Sequence, residues 1–244
     1  MLLLHGFGDT PQTLAHLARY LHERGFDVRA PLLPGHGRSI AAMDVSNHTE
    51  WLDSARAELF AMRARYRRVA VGGLSMGGAI AAILAAEVRD LEGLMLIAPY
   101  FVMPWRIKLL SAAAPLWSEL FGPIEASSVH SILDPAEREA NLAYGVVTGR
   151  SIRELSLLLR DARNVLSRIT APTLLIQSEK DNRIAADVSR RMFDELRMDR
   201  KRFVLTREGG HIITVDYGRA RVFEEVRAWL ETGPGTSPQP GRPE

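Results

Sequence analysis

The chain has no cysteine among its 244 residues. This excludes disulfide bonds, metal sites built from thiolates and a cysteine nucleophile. Its seven histidines show no His-Glu-x-x-His pattern or similar metal-ligand spacing, so we expect neither a metal nor a cofactor. No stretch approaches the roughly 18 apolar residues of a membrane span, and the opening run of three leucines is too short for the apolar part of a secretory signal. We therefore expect a cytoplasmic protein without stable membrane insertion.

The chain also lacks an excess of charge of either sign. Its formal net charge is only +2, and basic residues alternate with acidic ones. The densest basic cluster, at 63–68, falls at a predicted helix end, where cations interact favourably with the helix dipole. We expect no nucleic-acid partner. With 46% hydrophobic and 25% charged residues, the composition is that of an ordinary globular domain, and we expect a monomer or a weak homodimer.

The most informative motif is Gly-Leu-Ser-Met-Gly at 73–77. It follows the apolar run 69–71 and precedes 78–84, which has the composition of a buried helix. A Gly-x-Ser-x-Gly motif between a strand and a helix is typical of a nucleophile elbow, a sharp turn that exposes a serine hydroxyl. Small residues are needed on both sides of the turn because strand and helix approach each other closely there. Ser75 is therefore the candidate nucleophile.

A serine nucleophile needs a base and a group that orients the base. The apolar run 173–177 predicts a strand with Asp181 in the loop beyond it, and the run 202–205 predicts another that is followed by His211. Parallel strands place their carboxyl ends at one edge of the sheet, where ligands bind. Three separate segments of the chain thus converge on one edge, in the order Ser, Asp, His that elbow enzymes use.

Other interpretations of these residues stay open. Asp181 has Glu179 and Asp187 nearby and could be an ordinary turn residue. His211 could bond to a core carbonyl. Asp216 follows the histidine on the same segment, which favours a structural role for it over a catalytic one.

The first apolar run, at 2–4, predicts a strand that ends in His-Gly-Phe-Gly at 5–8. In elbow enzymes a loop after an early strand donates one backbone N–H to the oxyanion hole, and the residue after the nucleophile donates the other. Here these would be the N–H groups of Phe7 and Met76. We expect His5 to hold the loop in shape.

Together these motifs resemble the bacterial carboxylesterase and monoacylglycerol lipase group of α/β-hydrolases. The resemblance runs from Met1 to about Leu230 and is weak across 99–168, where that family carries a variable cap. Members usually have two further strands before the His-Gly motif, whereas this sequence starts inside the third. The motifs that carry the resemblance are His5-Gly6-Phe7, Pro34-Gly35-His36-Gly37, the segment 72–78, Asp181 and the segment 210–216.

The resemblance implies a role for each matched residue. Ser75 is the nucleophile, His211 the base and Asp181 the acid, and the N–H groups of Phe7 and Met76 form the oxyanion hole. It implies no metal and no cofactor.

Predicted strands and helices alternate along the chain, which indicates an α/β-hydrolase fold with a mostly parallel sheet and helices on both faces. We expect a core of residues 1–98 and 169–232. Residues 99–168 contain no convincing strand, and they predict a helical cap with helix starts at Asp134 and Ser151. The tail 233–244 is rich in Gly and Pro and is expected to be disordered.

We therefore predict a serine carboxylic-ester hydrolase that acts through an acyl-enzyme on neutral small-molecule esters of short to medium acyl chains, with monoacylglycerols among the plausible substrates. The alternatives are another Ser-His-Asp hydrolase (a thioesterase, a carbon–carbon hydrolase or a peptidase) and a non-catalytic ligand-binding protein of the same fold. Large apolar side chains crowd into 101–121. They either form the core of the cap itself or roof the cleft for an acyl chain, and the substrate prediction rests on the second interpretation. The residues expected to contact substrate are Phe101, Trp105, Trp117, Ile184 and Ile212.

Overall fold

Five apolar strands form one parallel sheet in the computed structural model, which describes residues 1–117, 122–126 and 131–232. Four of them are buried along their whole length, as continuous apolar runs in a sheet covered on both faces require. The sheet order is β1-β2-β3-β6-β7, and β4 pairs with β5 separately and antiparallel. The strands are β1 (Leu2–Leu4), β2 (Ala70–Leu74), β3 (Gly93–Ile97), β4 (Ile124–Glu125), β5 (Val146–Val147), β6 (Thr173–Ser178) and β7 (Lys201–Thr206).

Helices alternate with these strands. Two 3₁₀ turns, Pro11–Leu14 and Leu166–Arg168, adjoin α1 and α8 respectively. The α-helices in the described residues are α1 (Ala15–His22), α2 (Ile40–Val45), α3 (His48–Arg65), α4 (Met76–Glu87), α5 (Trp105–Ala112), α6 (Ala114–Trp117), α7 (Pro135–Glu139), α8 (Gly149–Val165), α9 (Ala186–Asp194) and α10 (Arg219–Glu231).

The pleat of the strands sends alternate side chains into two cores. Leu4, Val71 and Leu96 lie in the core that also contains the buried residues of α3, α4 and α8. Their sequence neighbours, such as Leu3 and Ile97, lie in the opposite core with α1 and α10. The predicted α/β-hydrolase fold, with helices on both faces of a parallel sheet, is confirmed.

The predicted helix starts agree with the structure at two places and differ at one. Asn47 followed by Glu50 is a capping-box pattern, which predicts a helix start at Asn47. The structure confirms it, because the Asn47 side chain accepts from the Glu50 N–H and the Glu50 side chain accepts the Asn47 N–H. Asp134 caps α7 as expected. The start predicted at Ser151 is wrong, because α8 begins at Gly149 with the extended residue Thr148 as its cap.

The stretch 99–168, between β3 and β6, differs from its prediction in another respect. It does contain strands, since β4 and β5 form a short antiparallel pair. The buried residues of α8, among them Leu155 and Leu158, belong to the same core as α4 and fix this end of the stretch to the sheet. The expected disordered tail 233–244 lies outside the described residues, and so do Leu120 and Phe121 of the apolar cluster. No helix in the described ranges is long and apolar enough to cross a bilayer.

Candidate active site

Ser75 lies at the junction of β2 and α4 with φ 54° and ψ −116°. A serine in this region of positive φ is strained, and such strain persists only where the surroundings impose it. The Ser75 N–H donates to the Ile97 carbonyl of β3 at 3.0 Å, and the Ser75 carbonyl accepts from Gly78 and Tyr100 at 3.0 and 3.1 Å. The turn is thus held from both the neighbouring strand and the following helix.

The two glycines of the motif permit this turn. A Cβ at Gly73 would lie 2.1 Å from the Gly77 carbonyl atoms, and a Cβ at Gly77 would lie 2.0 Å from the Leu4 carbonyl oxygen at the end of β1. Real Cβ atoms do not come this close to backbone, so any larger residue at either position would push α4 away from the sheet.

The structure brings together the three residues that the strand ends suggested. His211 Nε2 lies 2.8 Å from Ser75 Oγ, and His211 Nδ1 lies 2.8 Å from Asp181 Oδ2. The side chain of Asp181 is fully buried and that of His211 nearly so. With Nδ1–H donating to the carboxylate, Nε2 is free to accept the hydroxyl proton of Ser75.

Asp181 is held in its charged form by a full set of donors. Its Oδ1 accepts the N–H groups of Arg183 at 2.7 Å and Ile184 at 2.9 Å, and its Oδ2 accepts from Gln177 Nε2 at 2.7 Å in addition to His211. Burial by itself raises the pKa of Asp181, but the charge and hydrogen bond of His211 and the two backbone N–H groups outweigh it, so the pKa lies below its ordinary value. The carboxylate therefore stays ionised beside the imidazole.

Asp216 also accepts four hydrogen bonds, all of them from backbone. The donors are the N–H groups of Gly210 and Leu133 to Oδ2, and of Asp134 and Tyr217 to Oδ1, at 2.6–2.9 Å. This carboxylate fastens the segment that carries His211 to the segment before α7. These hydrogen bonds give Asp216 a structural role. The contact with the His211 imidazole is made by Asp181.

The loop after β1 lies beside Ser75. Phe7 lines the cavity described below, and Met76 is the first residue of α4, where helix N–H groups have no partner within the helix. Within the described residues, the N–H groups of Phe7 and Met76 have no hydrogen-bond acceptor. The oxyanion role that the sequence predicts for these two N–H groups stays a prediction.

Two buried histidines support this loop from behind. His5 Nδ1 donates to the Gly6 carbonyl at 2.9 Å, and His5 Nε2 accepts the Leu33 N–H at 3.1 Å. Burial, assisted by neighbouring His36, lowers the pKa of His5 to about 3, and burial lowers that of His36 to about 4. Both rings are neutral near pH 7. His5 bonds the loop to Leu33, whereas His36 Nδ1 donates to the Pro34 carbonyl at 2.9 Å and its Nε2 is buried without a hydrogen-bond partner among the described residues.

A cavity of about 320 Å³ opens over Ser75 and His211. Its polar wall next to these residues includes Tyr100, Ser131 and Arg183. Burial raises the pKa of Tyr100 to about 12, so its hydroxyl stays protonated, while burial lowers the pKa of Arg183. The remaining wall is mainly apolar and includes Met103, Ile107, Leu110, Ile124, Val146, Val147, Ile152 and Leu155.

Only one of the five predicted substrate contacts reaches this cavity. Ile212 lines it, whereas Ile184 is buried beside Asp181 and Phe101 is buried in the core. Trp117 is half-buried and donates its indole N–H to the Leu110 carbonyl. Trp105 is 71% exposed. The structure places these four side chains outside the cavity wall, and their contact with substrate stays a prediction.

The geometry of α5 explains why Trp105 lies outside the cavity wall. Ile107 and Leu110, three residues apart, share one helix face and line the cavity. Trp105 lies two residues, or about 200°, from Ile107, so it points away together with Leu109, which is 64% exposed. The helix therefore presents Ile107 and Leu110 to the cavity, whereas Trp105 and Leu109 lie on its exposed face.

The sequence reasoning did not single out four residues of the site: Tyr100, Ser131, Gln177 and Arg183. Tyr100 follows the carboxyl end of β3, so the rule that identified Asp181 and His211 could have found it. The Arg183 side chain is held in place by a hydrogen bond from its Nε to Ser131 Oγ, 52 positions away in the sequence. Nothing in the sequence indicates this bond. No group of three or more His, Asp or Glu side chains in the described residues is arranged to hold a metal ion.

Comparison with known sequences places these features in a family context. A family model described as "Serine aminopeptidase, S33" matches residues 1–217. A thermostable monoacylglycerol lipase from Bacillus sp. (strain H-257) is 28% identical over 225 residues, which are 92% of this chain and 87% of the relative. A carboxylesterase from Bacillus subtilis (strain 168) is 26% identical over 233 residues, 95% of this chain and 92% of the relative.

Solved structures show the same fold. A structure of one of two metagenome-derived lipolytic enzymes has a TM-score of 0.86 at 24% identity and covers 95% of this chain and 92% of its own. A soluble variant of monoglyceride lipase from Saccharomyces cerevisiae, in complex with a substrate analogue, has a TM-score of 0.80 at 16% identity, with 95% and 85% covered. At these identities the likeness concerns the fold.

Proposed function

The chain belongs to the serine aminopeptidase family of α/β-hydrolases, and on that premise we propose that it hydrolyses carboxylic esters through an acyl-enzyme at Ser75. It is an esterase- or lipase-like hydrolase by distant homology. The observation that carries the proposal is the chain of two 2.8 Å contacts from Ser75 Oγ through His211 to Asp181, at the mouth of an apolar cavity.

The proposed reaction begins when Ser75 Oγ attacks the ester carbonyl carbon while His211 Nε2 takes the hydroxyl proton. The carbonyl oxygen becomes an oxyanion that accepts the N–H groups of Phe7 and Met76. The buried charge of Asp181 stabilises the imidazolium that forms. The carbon–oxygen bond to the alcohol then breaks, and the alcohol leaves with the proton from His211.

The second half of the reaction releases the acid. Water gives a proton to His211 Nε2 and its oxygen attacks the acyl-serine carbon, again forming an oxyanion. The bond to Ser75 Oγ breaks, the serine recovers its proton from His211, and the carboxylic acid departs.

The apolar wall of the cavity supports a preference for short- to medium-chain acyl groups. Ile107 and Leu110 of α5, Ile124 of β4 and Val146 of β5 cover it on one side. Each methylene transferred from water to such surroundings is worth about 0.8 kcal/mol. A volume of about 320 Å³ is modest and favours one chain of limited length over a triacylglycerol.

The polar wall supports an assignment for the alcohol half of the substrate. Backbone hydrogen bonds tie Tyr100, Ser131 and Arg183 to the site. The Tyr100 N–H donates to the Ser75 carbonyl, and the Arg183 N–H donates to the Asp181 carboxylate. The Ser131 carbonyl accepts from the Ile212 N–H. The hydroxyl groups of Tyr100 and Ser131 offer donors to alcohol hydroxyls, so a glycerol leaving group fits this end. The relatives named as monoacylglycerol lipase and carboxylesterase support the same substrate class.

The domain organisation we propose is a core of residues 1–98 and 169–232 with a cap at 99–168. The elements α5, β4 and β5, which contribute to the cavity wall, all belong to the proposed cap. Its last helix, α8, packs into the core shared with α4 and anchors the cap to the sheet.

The test is covalent labelling combined with ester turnover. A fluorophosphonate should label the wild-type protein once, and p-nitrophenyl esters from acetate to palmitate, monoacylglycerols, thioesters and aminoacyl amides should define the reaction class. Ser75→Ala should lose label and turnover while the fold persists, because it removes one hydroxyl. Ser167→Ala, at an exposed serine of the 3₁₀ turn after α8, is the matched control and should keep both.

Labelling and turnover that survive in Ser75→Ala would refute the nucleophile assignment. Labelling of Ser75 with turnover confined to thioesters or peptides would refute the ester substrate and leave the nucleophile in place.

A further inference from the structure

The stretch after α7 is hydrogen-bonded to the region between β1 and α1, whose residues 5–10 we name the Phe7 loop. Tyr144 N–H donates to the Gly8 carbonyl at 2.9 Å. Two residues earlier, Leu142 N–H donates to Gln12 Oε1 at 2.9 Å, and Gln12 Nε2 donates to the Ala140 carbonyl at 2.5 Å. Residues 140–144, which we name the strap, are therefore fastened at three points to residues 8–12.

The hydroxyl of Tyr144 extends this connection to a second loop. It donates to the Gly35 carbonyl at 2.9 Å and accepts the Arg38 N–H at 2.9 Å. The same second loop holds the base of the Phe7 loop, because Leu33 N–H donates to His5 Nε2. Tyr144 thus supports the Phe7 loop directly at Gly8 and, through residues 33–38, at His5.

The Phe7 loop needs support of this kind. It contains Gly6 and Gly8, and Gly8 has φ 69°, so its backbone has wide conformational freedom. The hydrogen bond inside the loop, from Asp9 N–H to the Gly6 carbonyl, is 3.3 Å long. An oxyanion donor must be held within about 0.5 Å of its productive position, which a glycine-rich loop does not achieve on its own.

The Tyr144 side chain is not part of the cavity wall. Its neighbours Ala143 and Gly145 line the cavity, whereas its own ring runs to Gly35 and Arg38. A change confined to the Tyr144 hydroxyl therefore alters the support of the loop and leaves the substrate contacts as they are.

We propose that Tyr144 is a positioning residue of the oxyanion hole, which it holds in shape by bonding the Phe7 loop and the 33–38 loop to the strap. This inference rests on the proposed function, since it takes the Phe7 N–H as an oxyanion donor. It assigns to the stretch 99–168 a part in the chemical step as well as in covering the cavity.

The experiment compares Tyr144→Phe with wild type on p-nitrophenyl butyrate, with the rates normalised to the sites that a fluorophosphonate titrates to completion. The variant keeps the ring and the backbone bond to Gly8 and loses only the hydroxyl. We expect kcat to fall about 5- to 30-fold with KM little changed, since part of one donor's contribution is lost. The affinity for a trifluoromethyl ketone, which binds Ser75 as an oxyanion, should fall by the same factor.

Two further variants complete the test. Tyr66→Phe, at the end of α3 before β2 and therefore at the opposite edge of the sheet, is the matched control and should behave as wild type. Gln12→Ala releases the strap without touching the Tyr144 hydroxyl and should lower kcat in the same direction.

A Tyr144→Phe protein with unchanged kcat and unchanged ketone affinity overturns the inference, even if it unfolds at a lower temperature, because stability alone would then explain the residue. A fall in substrate affinity with kcat unchanged also overturns it. Wild-type protein that neither turns over the ester nor takes the label overturns the proposed function, and this inference with it.

Discussion

Replacing Asp181 by asparagine removes one oxygen atom's charge and acceptor capacity at a fully buried position. The four donors around the carboxylate come from two directions: His211 and Gln177 toward Oδ2, and the N–H groups of Arg183 and Ile184 toward Oδ1. An asparagine must point its NH₂ group at one of these pairs, where donor meets donor.

Either orientation harms the imidazole. If the NH₂ group faces His211, Nδ1 must accept and Nε2 carries the proton, which leaves no base for the Ser75 hydroxyl. If the amide oxygen faces His211, the tautomer survives, but the NH₂ group opposes two backbone N–H groups and the negative charge beside the imidazolium is lost. We expect kcat to fall about 10⁴-fold, equivalent to about 5.4 kcal/mol of transition-state stabilisation.

The same substitution changes the pH dependence of stability. Because the pKa of Asp181 lies below its ordinary value, the folded protein favours the ionised carboxyl more than the unfolded chain does. Asp181 therefore contributes stability that is present above the unfolded pKa of about 4 and is lost as pH falls through the lower folded pKa. Asp181→Asn should lose this acid-side dependence, measured as the free energy of unfolding in denaturant between pH 2.5 and 6.

Asp216→Asn is the matched control, since it makes the same chemical change at another buried carboxylate with four donors. The donors there are all backbone N–H groups, so we expect a stability loss of about 1–3 kcal/mol from an unsatisfied donor. Its kcat, measured on p-nitrophenyl butyrate and normalised to titrated sites, should fall far less than that of Asp181→Asn. A larger kcat loss in Asp216→Asn would mean that the wrong carboxylate has been assigned to His211.

Two other predictions concern the cavity, whose wall also includes the buried Asp9. Burial raises the pKa of Asp9 to about 7, so between about pH 4 and 7 the folded protein binds a proton that the unfolded chain has lost, and stability falls as pH rises through this range. Asp9→Asn removes this dependence. The free energy of unfolding of the variant minus that of wild type should therefore be up to about 4 kcal/mol larger at pH 8 than at pH 4. A difference that stays constant over this pH range would contradict the prediction. Leu110→Trp narrows the cavity and should move the best p-nitrophenyl ester from butyrate–decanoate toward acetate, whereas Trp105→Ala, on the outer face of α5, should leave the kcat/KM profile unchanged. Equal shifts in both variants would mean that Trp105 contacts the acyl chain after all.

Sequence reasoning found the residues whose position follows from the topology of a parallel sheet. Ser75, Asp181 and His211 each follow a strand, and the carboxyl ends of the parallel strands β2, β6 and β7 lie at one edge whatever the details of packing. The fold class follows for the same reason, because alternating strand and helix patterns leave few arrangements.

The substrate contacts could not be found in the same way. Their identity depends on how α5 is rotated, and a helix that is apolar on several sides gives no single face from its sequence. The angle of about 200° between Trp105 and Ile107 decides which of them lines the cavity. The contacts of the strap are harder still to predict from the sequence. They include a hydrogen bond from the Tyr144 hydroxyl to the Gly35 carbonyl, 109 positions away.

The close packing around Gly77 links the two proposed oxyanion donors. A Cβ there would lie 2.0 Å from the Leu4 carbonyl and 2.7 Å from that of His5, so the start of α4 touches the backbone at which the Phe7 loop begins. One donor, Met76 N–H, belongs to that helix start, and the other, Phe7 N–H, comes two residues after His5. The glycine therefore sets the distance between the two donors as well as the shape of the serine turn. The strap acts on the far end of the same loop, at Gly8, so the two ends of the loop are fixed by different parts of the chain: the elbow glycine at one end and the stretch between β3 and β6 at the other.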